Sequence, residues 1–239
     1  MQYRAFKVEI LAIILIRINV MTYFKRIFFS GLAVLGALAL SSCSPKPQND
    51  CGFVQNIYGQ RIAWKNKSPI KLVIHSSVPV ELRPAIFRAA DTWEKQIGRK
   101  IFEISEDSTQ LGASPAKDQK NGIYFLSDWE SDRTSEQGRT SVFWAGDQIQ
   151  EADIRINASD FSYYDQNSQQ LVGSFGLKKT GSVSRDGYSF EALILHELGH
   201  FLGLKHGDNA SVMATHLAAF TNRTQLSQPD QQSISCEYK

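Results

Sequence analysis

Eleven consecutive residues constrain this chain more than any other feature: His196-Glu197-Leu198-Gly199-His200-Phe201-Leu202-Gly203-Leu204-Lys205-His206. His196 and His200 lie four apart, so on a helix both imidazoles leave the same face one turn apart, as two ligands of one metal must. Glu197 falls on the flank of that face, where its carboxylate is badly placed to be a third ligand but well placed to take a proton from water beside the metal. Gly203 permits the left-handed conformation that ends a helix and turns the chain, which lets His206 return to the same metal. Three neutral nitrogens leave a fourth position open. That is the arrangement of a catalytic zinc; a structural zinc closes all four positions with protein and favours cysteine. Histidines that only fill core or capping positions have no need of this spacing.

The helix carrying these residues is predicted over residues 189–204, with Ala192, Leu195, Leu198, Phe201 and Leu202 on its apolar side. Upstream, Ile70, Leu72 and Ile74 alternate with polar neighbours and mark a strand over residues 69–76. Ile86, Ala89, Ala90, Trp93 and Ile97 then recur at helical spacing over residues 82–97, with Gly98 as the stop. Further strands are predicted over residues 100–106, 122–126, 139–145 and 152–157, the last two joined at Gly146-Asp147. Residues 159–187, rich in Ser, Gln, Gly, Tyr and Asp, are expected to form a long surface loop. A short helix over residues 228–238 has Ser227 as its cap and Pro229 in its first turn.

With 239 residues, 42% of them hydrophobic, the chain can bury a core of one domain. Its formal charge of +2 hides an asymmetry: residues 1–42 hold five Lys/Arg and one Glu, leaving 21 Lys/Arg against 23 Asp/Glu beyond them. No basic stripe with interleaved aromatics remains, which argues against nucleic acid as a partner. In the leader, Met21 reads as a start, followed by Lys25 and Arg26, the apolar stretch 27–40, and Leu40-Ser41-Ser42-Cys43. This pattern resembles a bacterial lipoprotein signal with its lipobox. The resemblance implies that the Cys43 thiol carries diacylglycerol and tethers the chain to a membrane of the cell envelope, on its extracytoplasmic side. An uncleaved anchor fits less well, because fourteen residues span only about 21 Å as helix. The expected organisation is a leader over residues 1–42, a lipidated cysteine and tether over 43–58, with packing beginning near Phe53, and a domain over 59–239. Residues 1–20 receive no function. Setting Cys43 aside leaves Cys51 and Cys236, an even pair that predicts one disulfide in an exported domain; the alternative is a free thiol that caps the metal.

The run from His196 to His206 matches the extended motif of the metzincin metalloproteases at every fixed position, and Met213, in Ala210-Ser211-Val212-Met213-Ala214, resembles their methionine turn. Core filler is the other reading of Met213. Within the metzincins the chain looks most like a minimal bacterial matrixin. Gly138-Arg139-Thr140, the run Ala152-Asp153-Ile154-Arg155-Ile156-Asn157 and Leu226-Ser227-Gln228-Pro229-Asp230 extend the resemblance over roughly residues 60–239. It implies a mixed α+β fold with a five-stranded twisted sheet, an active-site helix, a methionine turn and a C-terminal helix. It also implies a zinc endopeptidase in which His196, His200 and His206 hold one zinc ion and Glu197 is general base and then acid. The peptide or protein substrate would lie along an edge strand made of Thr140, Ser141, Val142, Phe143, Trp144 and Ala145.

Departures from the family pattern shape the remaining expectations. No histidine lies between His75 and His196, so a second, structural zinc has no visible ligands, and no inhibitory segment with a cysteine switch is recognisable. Thr215 stands in place of the family's proline, and Leu217 where an aromatic often lines the specificity pocket; His216 reads as an exposed loop residue. Asp147 and Asp153 leave calcium open without a calcium-loop spacing. Two other functions compete: a zinc-binding surface lipoprotein without catalysis, and a zinc amidase acting on a non-protein amide. Loss of Glu197 or a ligand would favour the first, and all four residues are intact; an exposed edge at residues 140–145 beside the metal separates the second from a peptidase, since an extended peptide needs that rail and a small amide does not.

Overall fold

The computed structural model describes residues 45–65, 69–167, 171–173 and 187–239, so the expected leader and Cys43 lie outside the described residues. Five segments form the strands β1 (Ile70–Ile74), β2 (Phe102–Ser105), β3 (Gly122–Leu126), β4 (Gly138–Ala145) and β5 (Gln148–Asn157). They make one mixed sheet in the order β2-β1-β3-β5-β4, parallel except for β4, which runs antiparallel to β5. Helix α1 (Arg83–Ile97) makes the crossover between the parallel β1 and β2 and stops at Gly98, which is left-handed at φ 81°. Helix α2 (Phe190–Phe201) is capped by Ser189, whose Oγ accepts from Ala192 N at 3.3 Å. Leu72, Ile74, Trp93, Ile154 and Leu198 are among the residues that close the core between these elements. The Trp93 indole satisfies its N–H inside that core by donating to Leu195 O at 2.9 Å, which ties α1 to α2.

Two adjacent residues turn β4 back onto β5, with Gly146 left-handed at φ 63°. One side of β4 is thereby paired, and its other side carries no strand among the described residues.

Three sequence expectations need correction. The segment over residues 159–187 is not simply a surface loop, because its described part contains β6 (Ser162–Tyr164), β7 (Leu171–Gly173) and β8 (Gly187–Ser189), joined as β7-β6-β8. Tyr163 is fully buried, edge-on to both Phe125 and Phe190 at 5.8 Å between ring centroids, and its hydroxyl donates to Gln137 O at 2.8 Å. Strands of three residues are too short to show alternation. Part of the stretch expected to be a tether is packed instead, since the compact unit spans Pro47–Lys239. Phe53 is buried and bridges to Leu204, while its neighbour Val54 donates N–H to Gly203 O at 2.9 Å. Finally, helix α3 (Gln228–Ile234) is shorter than predicted: past it, Tyr238 leaves the helical path to bury its ring near Phe53 and donate its hydroxyl to Leu202 O at 2.6 Å.

Cys51 and Cys236 are bonded to each other across 185 residues, so neither thiol is free to cap a metal. Among the described residues no helix is long and apolar enough to cross a membrane. A loop of that length constrains the unfolded chain strongly, and reduction is expected to cost about 3–5 kcal/mol. Urea unfolding with and without reductant measures it; coincident curves would contradict the role of the bond.

Candidate active site

The last two turns of α2 present His196 and His200 on one face, and the turn at Gly203 brings His206 to them; the ligand nitrogens of all three lie within 4.8 Å of one another. Gly203 has φ 102°, and a Cβ there would collide with Ile62 O, so conformation and space both require glycine. His196 Nδ1 lies 2.8 Å from Val212 O and His200 Nδ1 2.8 Å from Leu204 O. A carbonyl only accepts, so each Nδ1 carries the proton and each neutral ring turns its Nε2 lone pair inward. Those two Nε2 atoms are 3.0 Å apart, a separation at which lone pairs repel unless a cation joins them. Burial pushes the pKa of both rings down to about 4, which keeps them neutral near pH 7 as metal ligands must be. The donor set therefore fits a divalent metal of the zinc type.

Glu197 is buried beside the triad, and Thr140 of β4 donates its hydroxyl to Glu197 Oε2 at 2.6 Å. Burial raises the pKa of this carboxyl, against the opposing pull of His200 and the Thr140 hydrogen bond. Gly138 leaves room for it, since a Cβ at that position would stand 2.9 Å from Glu197 Oε1. A cleft of about 630 Å³ runs between β4 and the segment after Met213, with the histidines at its floor.

Residues 64–239 match the Peptidase_M10 family, described as matrixin. The chain belongs to the matrixin family. That makes it a zinc metallopeptidase of the metzincin type, with the family implying zinc for the histidine triad. No curated protein matches it.

Of the six edge residues named from the sequence, this matrixin turns Thr140, Val142 and Trp144 toward the cleft. Ser141 and Phe143 line a separate cavity on the opposite side, where Lys117 lies over the Phe143 ring, and Ala145 pairs with Gln148 at the hairpin end. That division is strand alternation. Met213 lies under the zinc helix: Gly199 has no Cβ, and one placed there would overlap Met213 Sδ. Core filler is thus too weak a description of Met213, which packs against the helix at Gly199, between His196 and His200 in sequence. Asp147 pairs with Lys65 at 3.6 Å, whereas Asp153 is buried and accepts from Gly122 N at 2.8 Å, so the two aspartates serve different contacts. The three histidines are the one metal-competent group among the described residues.

Sequence reasoning missed the residues that brace the triad from outside the motif. Asp230, read only as part of the start of α3, is buried and accepts from Ser227 N at 2.8 Å and Val212 N at 3.1 Å, and from the hydroxyls of Ser227 and Ser211. Ser211 Oγ in turn accepts from Met213 N at 2.8 Å. One carboxylate therefore holds both the carbonyl partner of His196 and the methionine turn. Its only sequence signal was the spacing Ser227-x-x-Asp230, which marks a helix cap and not a metal site. Val54 and Arg223, which also line the cleft, carried no signal at all.

Asp230→Ala strands four donors and is expected to cost about 3 kcal/mol in stability and to weaken zinc binding about 10–100-fold. Chemical unfolding and competition with a chelator of known affinity measure the two effects. Unchanged zinc affinity in a folded variant would show that the clamp does not reach His196.

Proposed function

We propose that this matrixin is an endopeptidase that holds an extended segment of an extracytoplasmic protein antiparallel to β4 and cleaves it over the triad. The unpaired edge of β4 beside the three histidines is the observation that carries this reading. Main-chain pairing to such an edge grips any peptide, while side-chain pockets choose among them. A small non-protein amide has no use for an eight-residue rail, which favours a peptide over that substrate.

His196, His200 and His206 would hold zinc, which supplies a water of lowered pKa and a Lewis acid for the substrate carbonyl. Glu197 takes the proton from the attacking water and then delivers it to the departing amine nitrogen. Thr140 orients the Glu197 carboxylate through the hydrogen bond to Oε2, and the dry surroundings strengthen that contact. The intact base and the open fourth position weigh against a purely zinc-binding role. A membrane tether at Cys43, outside the cytoplasm, is part of the same proposal; it is supported by the lipobox-like sequence and by a disulfide suited to an oxidising compartment.

Glu197→Gln is expected to lower kcat about 10²–10⁴-fold with zinc content unchanged, and His200→Ala to lose both. Peptide-library hydrolysis alongside elemental analysis reads these outcomes, and full turnover by Glu197→Gln would refute the assignment of the base. Thr140→Val should reduce kcat roughly tenfold with little change in KM, and Thr140→Ser should restore it. A loss that serine does not rescue would place the role of Thr140 in packing instead.

A further inference from the structure

The cleft contains two arginines, and their hydrogen bonding separates them. Arg139 is engaged by Glu136, with Nε and Nη2 donating to Oε2 at 2.9 and 2.6 Å. Arg223 spends only Nη1, which donates to His216 O at 3.2 Å and to Ser211 O at 3.3 Å. Its Nε and Nη2 make no hydrogen bond among the described residues, and no described carboxylate lies within ion-pair distance of it. These donors are not buried orphans either. A guanidinium is held in place from one side, with the Nε–Nη2 fork that suits a carboxylate left open.

The place of this fork along the cleft follows from β4. Gln137, immediately before β4, donates Nε2 to Leu217 O at 3.0 Å, so the pocket containing Leu193, His196, Leu217 and Arg223 sits at the start of the strand. Trp144, near the C-terminal end of β4, marks the other end. A peptide antiparallel to β4 runs from the Trp144 end toward the Gln137 end. The residues that follow its scissile bond therefore enter the Arg223 pocket.

We propose that Arg223 selects a substrate carboxylate on the C-terminal side of the scissile bond, from an Asp or Glu side chain or from a nearby chain terminus. The inference rests on the peptide-binding reading above. Apolar walls such as Leu193 and Leu217 strengthen a charge pair made there. They also penalise an aliphatic occupant, which would strip water from the guanidinium and return no partner. The two bonds from Nη1 fix the group before substrate arrives, so little ordering is lost on binding.

The test uses the zinc-loaded full chain and three C-terminally amidated peptides that differ only in carrying Glu, Gln or Leu after the scissile bond. The Leu peptide with a free C-terminus, its chain ending next to that position, forms a fourth arm. Binding is read by fluorescence anisotropy on Glu197→Ala, and kcat/KM on the native chain. Glu should exceed Gln and Leu by about 10–100-fold in both readouts, and Arg223→Met should erase the difference. Arg223→Lys should keep part of it. A gain confined to the free C-terminus would assign the carboxylate to the chain end. Equal binding of all four peptides, binding of none, or a Glu preference that survives in Arg223→Met overturns the proposal. The peptide comparison on the native chain stands even if the variants fail to fold. Acid-selective, Arg223-dependent binding without hydrolysis would sink the peptidase reading and leave only the carboxylate pocket; hydrolysis blind to the acid would sink this proposal and leave the peptidase reading.

Discussion

Imidazole lone pairs aimed at one point repel one another, and much of this structure serves to hold them there. The two helical histidines cannot relax by rotating, because each ring is fixed by an Nδ1 hydrogen bond to a carbonyl, one from the methionine turn and one from Leu204, just past the Gly203 turn. Their burial removes the other escape, which is protonation. What remains favourable is a shared cation. The site is thus poised by the cost of being without one, and that cost is carried by packing around the second ring nitrogens, not by the ligands themselves.

The bracing comes from three directions. Below, Met213 fits against the bare face of Gly199, and Asp230 of α3 fixes the turn that presents Val212 O. Behind, the segment at Phe53 and Val54 bridges to Leu204 and Gly203, which fastens the turn that delivers His206, and the disulfide to Cys236 secures the same segment. In front, Thr140 links the carboxylate of Glu197 to β4. This last contact couples the strand proposed to grip substrate with the group proposed to move the proton. A shift of the sheet edge would displace the base.

Elements with strong periodicity were legible. Residues 69–76 and 82–97 appear as β1 and α1 within a few residues, because alternation and the Gly98 stop are local signals. The short strands β6 and β8 were not, since three residues cannot display a period, and Tyr163 is held in the core by Phe125, Phe190 and the carbonyl of Gln137, all remote in sequence. Phe53 was read as near the edge of the fold for a related reason. Phe53 and Val54 make an apolar pair too short to show a period, so nothing local reveals the bridge from Phe53 to Leu204.

The ligand spacing, the helix that bears it and the glycine that ends it follow from the sequence alone, because each depends on residues within a few positions; parity left Cys51 and Cys236 as a disulfide or a free thiol, and the fold joined them. Tertiary structure decided the rest. Which face of β4 looks into the cleft, which aspartate holds the methionine turn, and which arginine keeps an open fork all depend on atoms brought together from distant segments. Hydrogen bonds satisfied across the fold leave no periodic trace in the chain.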